Sequence, residues 1–454
     1  MPASHFVFPD GYTIPRVING GWQLSTGHAL GRPLDMKDAH DAFARLLDLG
    51  LDTFDGADIY TGVEDFYGTI VRERRRAGLS LPRIHTKFVP DLKDLAHVDY
   101  AYVERILTRS LARLGLETLD LVQFHWWDYD VPGMVECAGH LVRAQEKGIV
   151  RRIGTTNFNR VQLERLLDAG IPVVSNQCQY SALDRRPERK DGLTELALKR
   201  NMPLLCYGTV AGGFLSEKWL GRERPASFEN RSLVKYDLVI EDSLGWEGFQ
   251  KLLGLLEEIG RPKGLGIAQT ASLYALGKSG VGAVILGTRN SRHIDAAAAL
   301  LTNELTPDER RAVDAFLADY PTLEGDAFDL ERLEGGKHRA ARAALALTVP
   351  VEHDAQRISS KCDQYGFQAV LVKGKMPGLF YCCAESVYPV NQRSSRRSAA
   401  AADQSEPDNR QSEHHQSGGA RCRTSFVRSH RCYLWLPDAI RISLYAQKFI
   451  GTSV

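Results

Sequence analysis

From Arg16 onward, short apolar runs of strand length alternate with stretches of helical period, and the alternation repeats eight times. The runs are Arg16–Asn19, Thr53–Asp55, Arg83–Phe88, Leu119–His125, Arg152–Thr155, Val173–Gln177, Pro203–Tyr207 and Ala283–Gly287. Between them the helical spacing is explicit. Val63, Phe66, Tyr67, Ile70 and Val71 fall three and four apart, with Glu64 and Asp65 at the start and Arg72 to Arg76 near the end, where each sign suits the helix dipole. Val103, Ile106, Leu107 and Leu111 repeat the pattern, as do Met134, Cys137, Ala138, Leu141 and Val142, which Gly148 terminates. Further helices fit 38–49, 161–169, 192–200, 268–277 and 293–301.

Nearly continuous apolar strands, each followed by an amphipathic helix, imply a parallel sheet covered by helices. Two closures are open to such a chain. An open doubly wound sheet with a dinucleotide calls for a glycine-rich phosphate loop after its first strand. Here that place reads GGWQLS, Gly20 to Ser25, and no GxGxxG follows any other strand. The pattern therefore predicts an α/β fold, a (β/α)8 TIM barrel. The stretch Ser216–Gln250 after the seventh strand is expected to be a long irregular loop.

Beyond Gly325 the alternation stops. A last helix is expected over Leu330–Leu347. From Ser394 to Gly419 the chain reads SSRRSAAAADQSEPDNRQSEHHQSGG, too polar to offset its ordering entropy by burial. We expect residues 1–347 to form the barrel domain and 348–454 a low-complexity, largely disordered C-terminal tail. An interaction tail is the alternative, because Arg421, Arg423, Arg428 and Arg431 cluster there.

A formal net charge of +1 in 454 residues argues against nucleic acid or an anionic membrane as partner. Met1 to Gly20 lack a secretory pattern, and no apolar window approaches membrane-spanning length, so a cytoplasmic location is the expectation. Cys137, Cys178 and Cys206 stand in apolar settings and read as reduced core residues. The other five cysteines match no zinc spacing, and no metal is expected.

The strand ends carry the chemistry. Asp55 closes the second strand and Tyr60 follows in the next loop, Lys87 lies in RIHTKF, and His125 ends LDLVQF. Taken singly, a strand-end lysine is usually solvated and a histidine beside two tryptophans usually packs. In a barrel, however, these ends converge on one mouth. A phenol of pKa about 10 is a poor proton donor at neutral pH. A neighbouring ammonium held by a carboxylate is expected to lower it, and an imidazole opposite could hydrogen-bond a carbonyl.

Asp55, Tyr60, Lys87 and His125, in that order, resemble the catalytic tetrad of the aldo-keto reductase family. The resemblance covers roughly Asp10 to Leu347. It implies NADP binding, usually as NADPH, without a Rossmann domain, and hydride transfer between the nicotinamide and a carbonyl or alcohol, with Tyr60 as general acid/base. The substrate implied is a small aldehyde, ketone or sugar. Thr156 and Asn157 resemble the pair that holds the nicotinamide carboxamide, with Gln177 beside them. Tyr207 resembles the ring stacked on the nicotinamide, and Gly212, Gly213, Phe214 and Leu215 the backbone along the pyrophosphate. In ILGTRNSRHID, Thr288, Arg289, Arg292 and His293 resemble the segment that meets the adenosine 2'-phosphate. Three departures stand out: Gly56 replaces a small hydroxyl or thiol residue, Gly208 a frequent serine, and Ala296-Ala297 an acid-amide pair.

Trp22, Trp126 and Trp127 are expected to wall an aromatic substrate pocket. Two other functions stay open at this point: a cofactor-binding regulatory subunit with little turnover, as in potassium-channel beta subunits, and a Schiff-base role for Lys87. Oligomeric state is not read from the sequence.

Overall fold

The computed structural model describes residues 4–25, 35–228, 230–333, 335–339, 367–373 and 380–386. By its internal contacts the chain divides into Met1–Glu385 and Ser386–Val454, and the fold described below belongs to the first.

The chain opens with a hairpin, β1 (His5–Val7) and β2 (Thr13–Pro15), paired antiparallel with His5 opposite Pro15. The barrel strands follow: β3 (Val17–Gly20), β4 (Thr53–Asp55), β5 (Arg83–Phe88), β6 (Leu121–Phe124), β7 (Ile153–Thr156), β8 (Val173–Gln179), β9 (Leu204–Tyr207) and β10 (Val281–Gly287). They close into a barrel in sequence order, β10 pairing with both β9 and β3, and every pair is parallel. The expected (β/α)8 barrel is the observed fold.

Helices α1 (Met36–Asp48), α2 (Val63–Arg76), α3 (Tyr100–Leu114), α4 (Met134–Glu146), α5 (Arg160–Asp168) and α6 (Leu193–Lys199) each follow a strand. After β9 come α7 (Arg231–Ser243), α8 (Gly245–Gly260) and α9 (Ile267–Leu276), and after β10 α10 (Ile294–Ala299), α11 (Pro307–Ala318) and α12 (Asp329–Arg332). Their ends follow capping chemistry. Asp99 accepts from Tyr102 N at the start of α3, and Gly115 closes it at φ 66°. Thr306 and Glu309 form a capping box on α11, with Pro307 at its first position.

Alternation along each strand divides the buried side chains. Phe54, Ile84, Val122, Phe124, Ile153, Cys178, Cys206 and Val284 face the helices, where Phe43, Tyr67, Leu107 and Leu141 meet them in one large core. Each fully buried side chain of this size contributes about 1.5–3 kcal/mol. Ile18, Leu121, Leu205, Ala283 and Ile285 form a second cluster with Phe8 and Ile14 of the hairpin. The hairpin thus stoppers the end of the barrel where the strands begin.

Two expectations are corrected. The loop over Ser216–Gln250 is largely helical, holding α7 and the start of α8. Leu233, Tyr236, Val239 and Ile240 are buried at helical spacing, and Asn230 caps the helix through Leu233 N. The expected helix over 330–347 is interrupted: α12 ends at Arg332, Gly335 takes a left-handed φ of 74°, and helical residues resume at 337–339. Its residues 340–347 lie outside the described residues. Within the expected tail, β11 (Phe367–Lys373) and β12 (Phe380–Ser386) form a two-stranded sheet. The remainder of 348–454 lies outside the described residues. Cys137, Cys178 and Cys206 are buried as expected. Among the described residues, no helix is long and apolar enough to cross a membrane.

Candidate active site

The strand ends opposite the hairpin surround a cleft of about 980 Å³. Asp55, Tyr60, Lys87 and His125 all line it. The period of two along β4, β5 and the end of β6 turns Asp55, Lys87 and His125 inward, Tyr60 stands in the loop after β4, and register sets Gly20 beside Asp55 and Lys87 beside Gln123.

Asp55 is the hub of a buried polar network. Its Oδ2 accepts from Lys87 Nζ at 2.6 Å, while Oδ1 accepts from Gln123 Nε2 at 2.9 Å and Gln177 Nε2 at 2.6 Å. Gln177 Nε2 also reaches Gln123 Oε1 at 2.9 Å, and Lys87 Nζ donates a second bond to Gly56 O at 2.9 Å. The ammonium therefore has a fixed position, 4.9 Å from the centroid of the Tyr60 ring. Trp22 covers the same ring, 5.0 Å centroid to centroid.

Protonation follows from burial. Removal from water would lower the pKa of Lys87, but Asp55 and Tyr60 outweigh that and raise it, so the ammonium persists. For Tyr60 the expectation from sequence is reversed. Burial raises the phenol above its ordinary value, and the Lys87 charge opposes this without overcoming it. Tyr60 is a protonated phenol at neutral pH.

His125 is held by Thr156 O, 3.0 Å from Nδ1, with Trp127 edge-on at 4.5 Å and Phe328 at 5.7 Å. A carbonyl only accepts, so Nδ1 carries the proton. A neutral imidazole in this orientation presents an acceptor at Nε2, and only the imidazolium could donate there to a carbonyl.

Thr156, Asn157, Gln177, Tyr207, Gly212, Gly213, Leu215, Thr288, Arg289 and His293 also line the cleft. Asn157 takes a left-handed φ of 61°, and its Oδ1 accepts from Tyr207 Oη at 2.8 Å. Trp22 and Trp127 stand in the wall of the cleft.

Two expected residues are elsewhere, and the side chain of a third, Phe214, expected for its backbone, is turned from the cleft. Trp126 is fully buried on the helix side, its ring 5.9 Å from Phe124 and its Nε1 donating to Val131 O. Being one residue from inward-facing His125, it points outward. Phe214 is likewise buried beneath the cleft floor, between Trp219 at 4.8 Å and Phe249 at 5.9 Å. Arg292 is exposed outside the cleft, with its N–H on Asn290 Oδ1 at 3.1 Å.

The departure at Gly56 acquires a reason. A Cβ on Gly56 would stand 3.3 Å from the ring of Tyr67, whose hydroxyl donates to Asp55 O at 3.1 Å. Tyr67 fills the space a larger residue would take. Ala296 and Ala297 both line the cleft, offering no polar side chain there.

Sequence reading missed Gln23, Gln123, Lys235, Phe328 and Glu331. Gln123 follows from the alternation that exposes His125, but the others come from loops and from α7 and α12, whose paths no periodicity sets.

A model of the Aldo/keto reductase family matches residues 16–318. Among curated proteins, the chloroplastic pyridoxal reductase of Arabidopsis thaliana is 27% identical over 66% of this chain and 83% of its own length. The L-glyceraldehyde 3-phosphate reductase of Escherichia coli strain K12 is 24% identical, over 68% and 91%. Among solved structures, a glycerol dehydrogenase from Gluconobacter oxydans aligns over 72% of this chain and 98% of its own, with a TM-score of 0.60 and 23% identity. An aldo/keto reductase from Klebsiella pneumoniae, in complex with NADP and acetate, aligns over 71% and 98%, with a TM-score of 0.54 and 20% identity. At that identity the structures speak for the barrel alone. The family match spans the whole barrel from β3 to α11, and on it the chain belongs to the aldo/keto reductase family.

Proposed function

We propose that the protein is an NADP-dependent carbonyl reductase or alcohol dehydrogenase acting on a small carbonyl or alcohol, with Tyr60 as the general acid/base. The observation that supports this best is the Lys87 ammonium, fixed 2.6 Å from Asp55 and beside the Tyr60 ring within one cleft. A protonated phenol next to a permanent cation can release its proton to a developing alkoxide, because the ammonium stabilises the phenolate left behind.

The cleft also suits a dinucleotide. Gln23 Oε1 is buried without a hydrogen-bond partner among the described residues, in the cleft wall, and calls for a donor from a ligand. Thr156, Asn157 and Gln177 would hold the carboxamide. Gln177 commits its amide nitrogen to Asp55, which leaves Oε1 for the ligand's amide donors. Tyr207 would stack on the nicotinamide, and the backbone of Gly212, Gly213 and Leu215 would follow the pyrophosphate, with Phe214 bracing it from below. Thr288, Arg289 and His293 would meet the 2'-phosphate and favour NADPH over NADH. When bound, the nicotinamide supplies or accepts the hydride. Trp22 and Trp127 would exclude water from the reacting carbon, while His125 would orient the carbonyl, donating to it only as imidazolium. We place the functional unit in residues 1–347 and expect it in the cytoplasm.

The test is consumption of NADPH and NADH with a panel of aldehydes, ketones and sugars. Steady turnover with NADPH is expected, and Tyr60→Phe should abolish it while still binding NADPH by fluorescence quenching. Binding without turnover by the wild-type chain would point instead to a regulatory subunit.

A further inference from the structure

The cleft contains a second buried charge cluster that carbonyl reduction does not use. Lys235 on α7 extends toward α12, where its Nζ lies 3.0 Å from Glu331 Oε1. The ammonium is enclosed by the rings of Tyr207, Tyr236 and Phe328, at 5.5, 5.6 and 5.7 Å from their centroids. Glu331 is held from behind by Arg186 at 3.7 Å, and Arg186 is itself paired with Asp184 at 2.7 Å. Both Lys235 and Glu331 line the cleft, and Glu331 Oε2, the oxygen that faces Arg186 as an ion pair, has no hydrogen-bond partner among the described residues.

The position ties this cluster to the reacting carbonyl. Phe328 contacts both the His125 ring and Lys235 Nζ, each at 5.7 Å, so the two can stand at most twice that distance apart. That separation suits the far end of a short chain whose carbonyl lies at Tyr60. Its polarity is specific. An ammonium carries three N–H donors, and Glu331 takes one. Within the cluster the charges pair, Lys235 and Arg186 facing Glu331 and Asp184, while the nearby Arg332, which is not part of the cleft lining, keeps its charge and donates to the carbonyl oxygens of Trp126, Trp127 and Asn157. A lining with spare donors, an acceptor and its own charges paired hydrogen-bonds hydroxyl groups better than it binds an anion. Aromatic walls at Trp22, Trp127 and Phe328 would cover the C–H faces of such a chain.

Resting on the carbonyl-reduction reading, we propose that Lys235, positioned by Glu331, is a specificity-determining residue that selects carbonyl substrates with an uncharged, hydroxyl-bearing tail. Lys235 donates to a tail hydroxyl oxygen, and Glu331 accepts from a neighbouring hydroxyl.

The test compares kcat/KM with NADPH for butanal, erythrose and erythrose 4-phosphate, in the wild type, Lys235→Met and Lys235→Arg. Erythrose should exceed butanal by tenfold or more and erythrose 4-phosphate by a similar factor. Lys235→Met should reduce the preference for erythrose over butanal at least fivefold, mainly through KM, and Lys235→Arg should restore part of it. An unchanged preference in Lys235→Met, or a wild type that favours the phosphate ester, overturns the proposal. So does a Lys235→Met variant whose main defect is weaker NADPH binding, which would assign the lysine to the cofactor. Calorimetry of erythritol and 1-butanol with the NADP-loaded full chain separates this failure from that of the underlying reading. Lys235-dependent erythritol binding without any turnover would sink the enzymatic role and keep the subsite. Turnover without such binding would do the reverse.

Discussion

Asp55 concentrates the energetics of the site in one carboxylate, which answers an ammonium and two amide donors inside a barrel where water cannot replace them. Removing one partner of a buried ion pair strands the other, at a cost of about 3–5 kcal/mol. Asp55→Leu should therefore lower the denaturation midpoint by an amount of that order, and turnover should be lost with it. A destabilisation under 1 kcal/mol in urea titration would mean that Lys87 finds other partners. Gly21 is a steric counterpart. A Cβ there would stand 2.3 Å from Tyr67 Oη and 2.7 Å from Val63 Cγ1. Gly21→Ala should cost about 1–3 kcal/mol by overpacking, read as a lower Tm, and a neutral effect would show that Tyr67 can yield. At this scale the four site side chains were legible because Asp55, Lys87 and His125 stand at the ends of apolar runs and Tyr60 lies in the loop after one of them. The direction of the Tyr60 pKa was not, since burial, which sequence does not measure, outweighs the neighbouring charge.

Among the elements, strand alternation was readable and its reach past the strand ends was not. His125 faces the cleft, so Trp126 had to face away, yet the pair reads as a single aromatic wall when only composition is considered. The segment after β9 shows a similar gap. Leu233, Tyr236, Val239 and Ile240 already carry the period of α7, but the charged residues around them conceal it. Phe214 anchors this region, packed within 6.1 Å of Trp219, Phe228, Trp246 and Phe249 by ring centroid. Phe214→Ala should cost about 3–5 kcal/mol and loosen the Gly213 and Leu215 backbone beside it. The expected outcome is a raised Kd for NADPH in fluorescence titration, together with a lower Tm. Unchanged NADPH affinity would show that the backbone above Phe214 holds its shape alone.

For the whole barrel, eightfold alternation and the missing glycine motif were sufficient to choose closure over an open sheet. The hairpin stopper escaped notice because its strands are three residues long and separated by turn formers. It bears on acid stability. Tyr12 Oη lies 3.0 Å from His85 Nε2, and burial, with the charges of Lys87, Arg152 and Arg83, depresses the His85 pKa to about 3. His85 is thus neutral in the folded barrel, whereas the unfolded chain takes up its proton below about pH 6.5. The unfolded state binds more protons between those values, so stability present above pH 6.5 is lost as pH falls toward 3. Between pH 6.5 and 5 the loss from this group is about 2 kcal/mol. Urea midpoints at the two pH values should show it, and His85→Gln should remove that component. Equal pH dependence in both proteins would place the acid sensitivity elsewhere.

The central claim is that proton and hydride reach one carbonyl in this cleft, with Tyr60 supplying the proton. NADPH deuterated at the transferable C4 position, incubated with an accepted aldehyde, tests it by mass spectrometry of the alcohol. One deuterium is expected on the product carbinol carbon with the wild type, and none above background with Tyr60→Phe although that variant still binds NADPH. Label transfer at wild-type rate by Tyr60→Phe would contradict it.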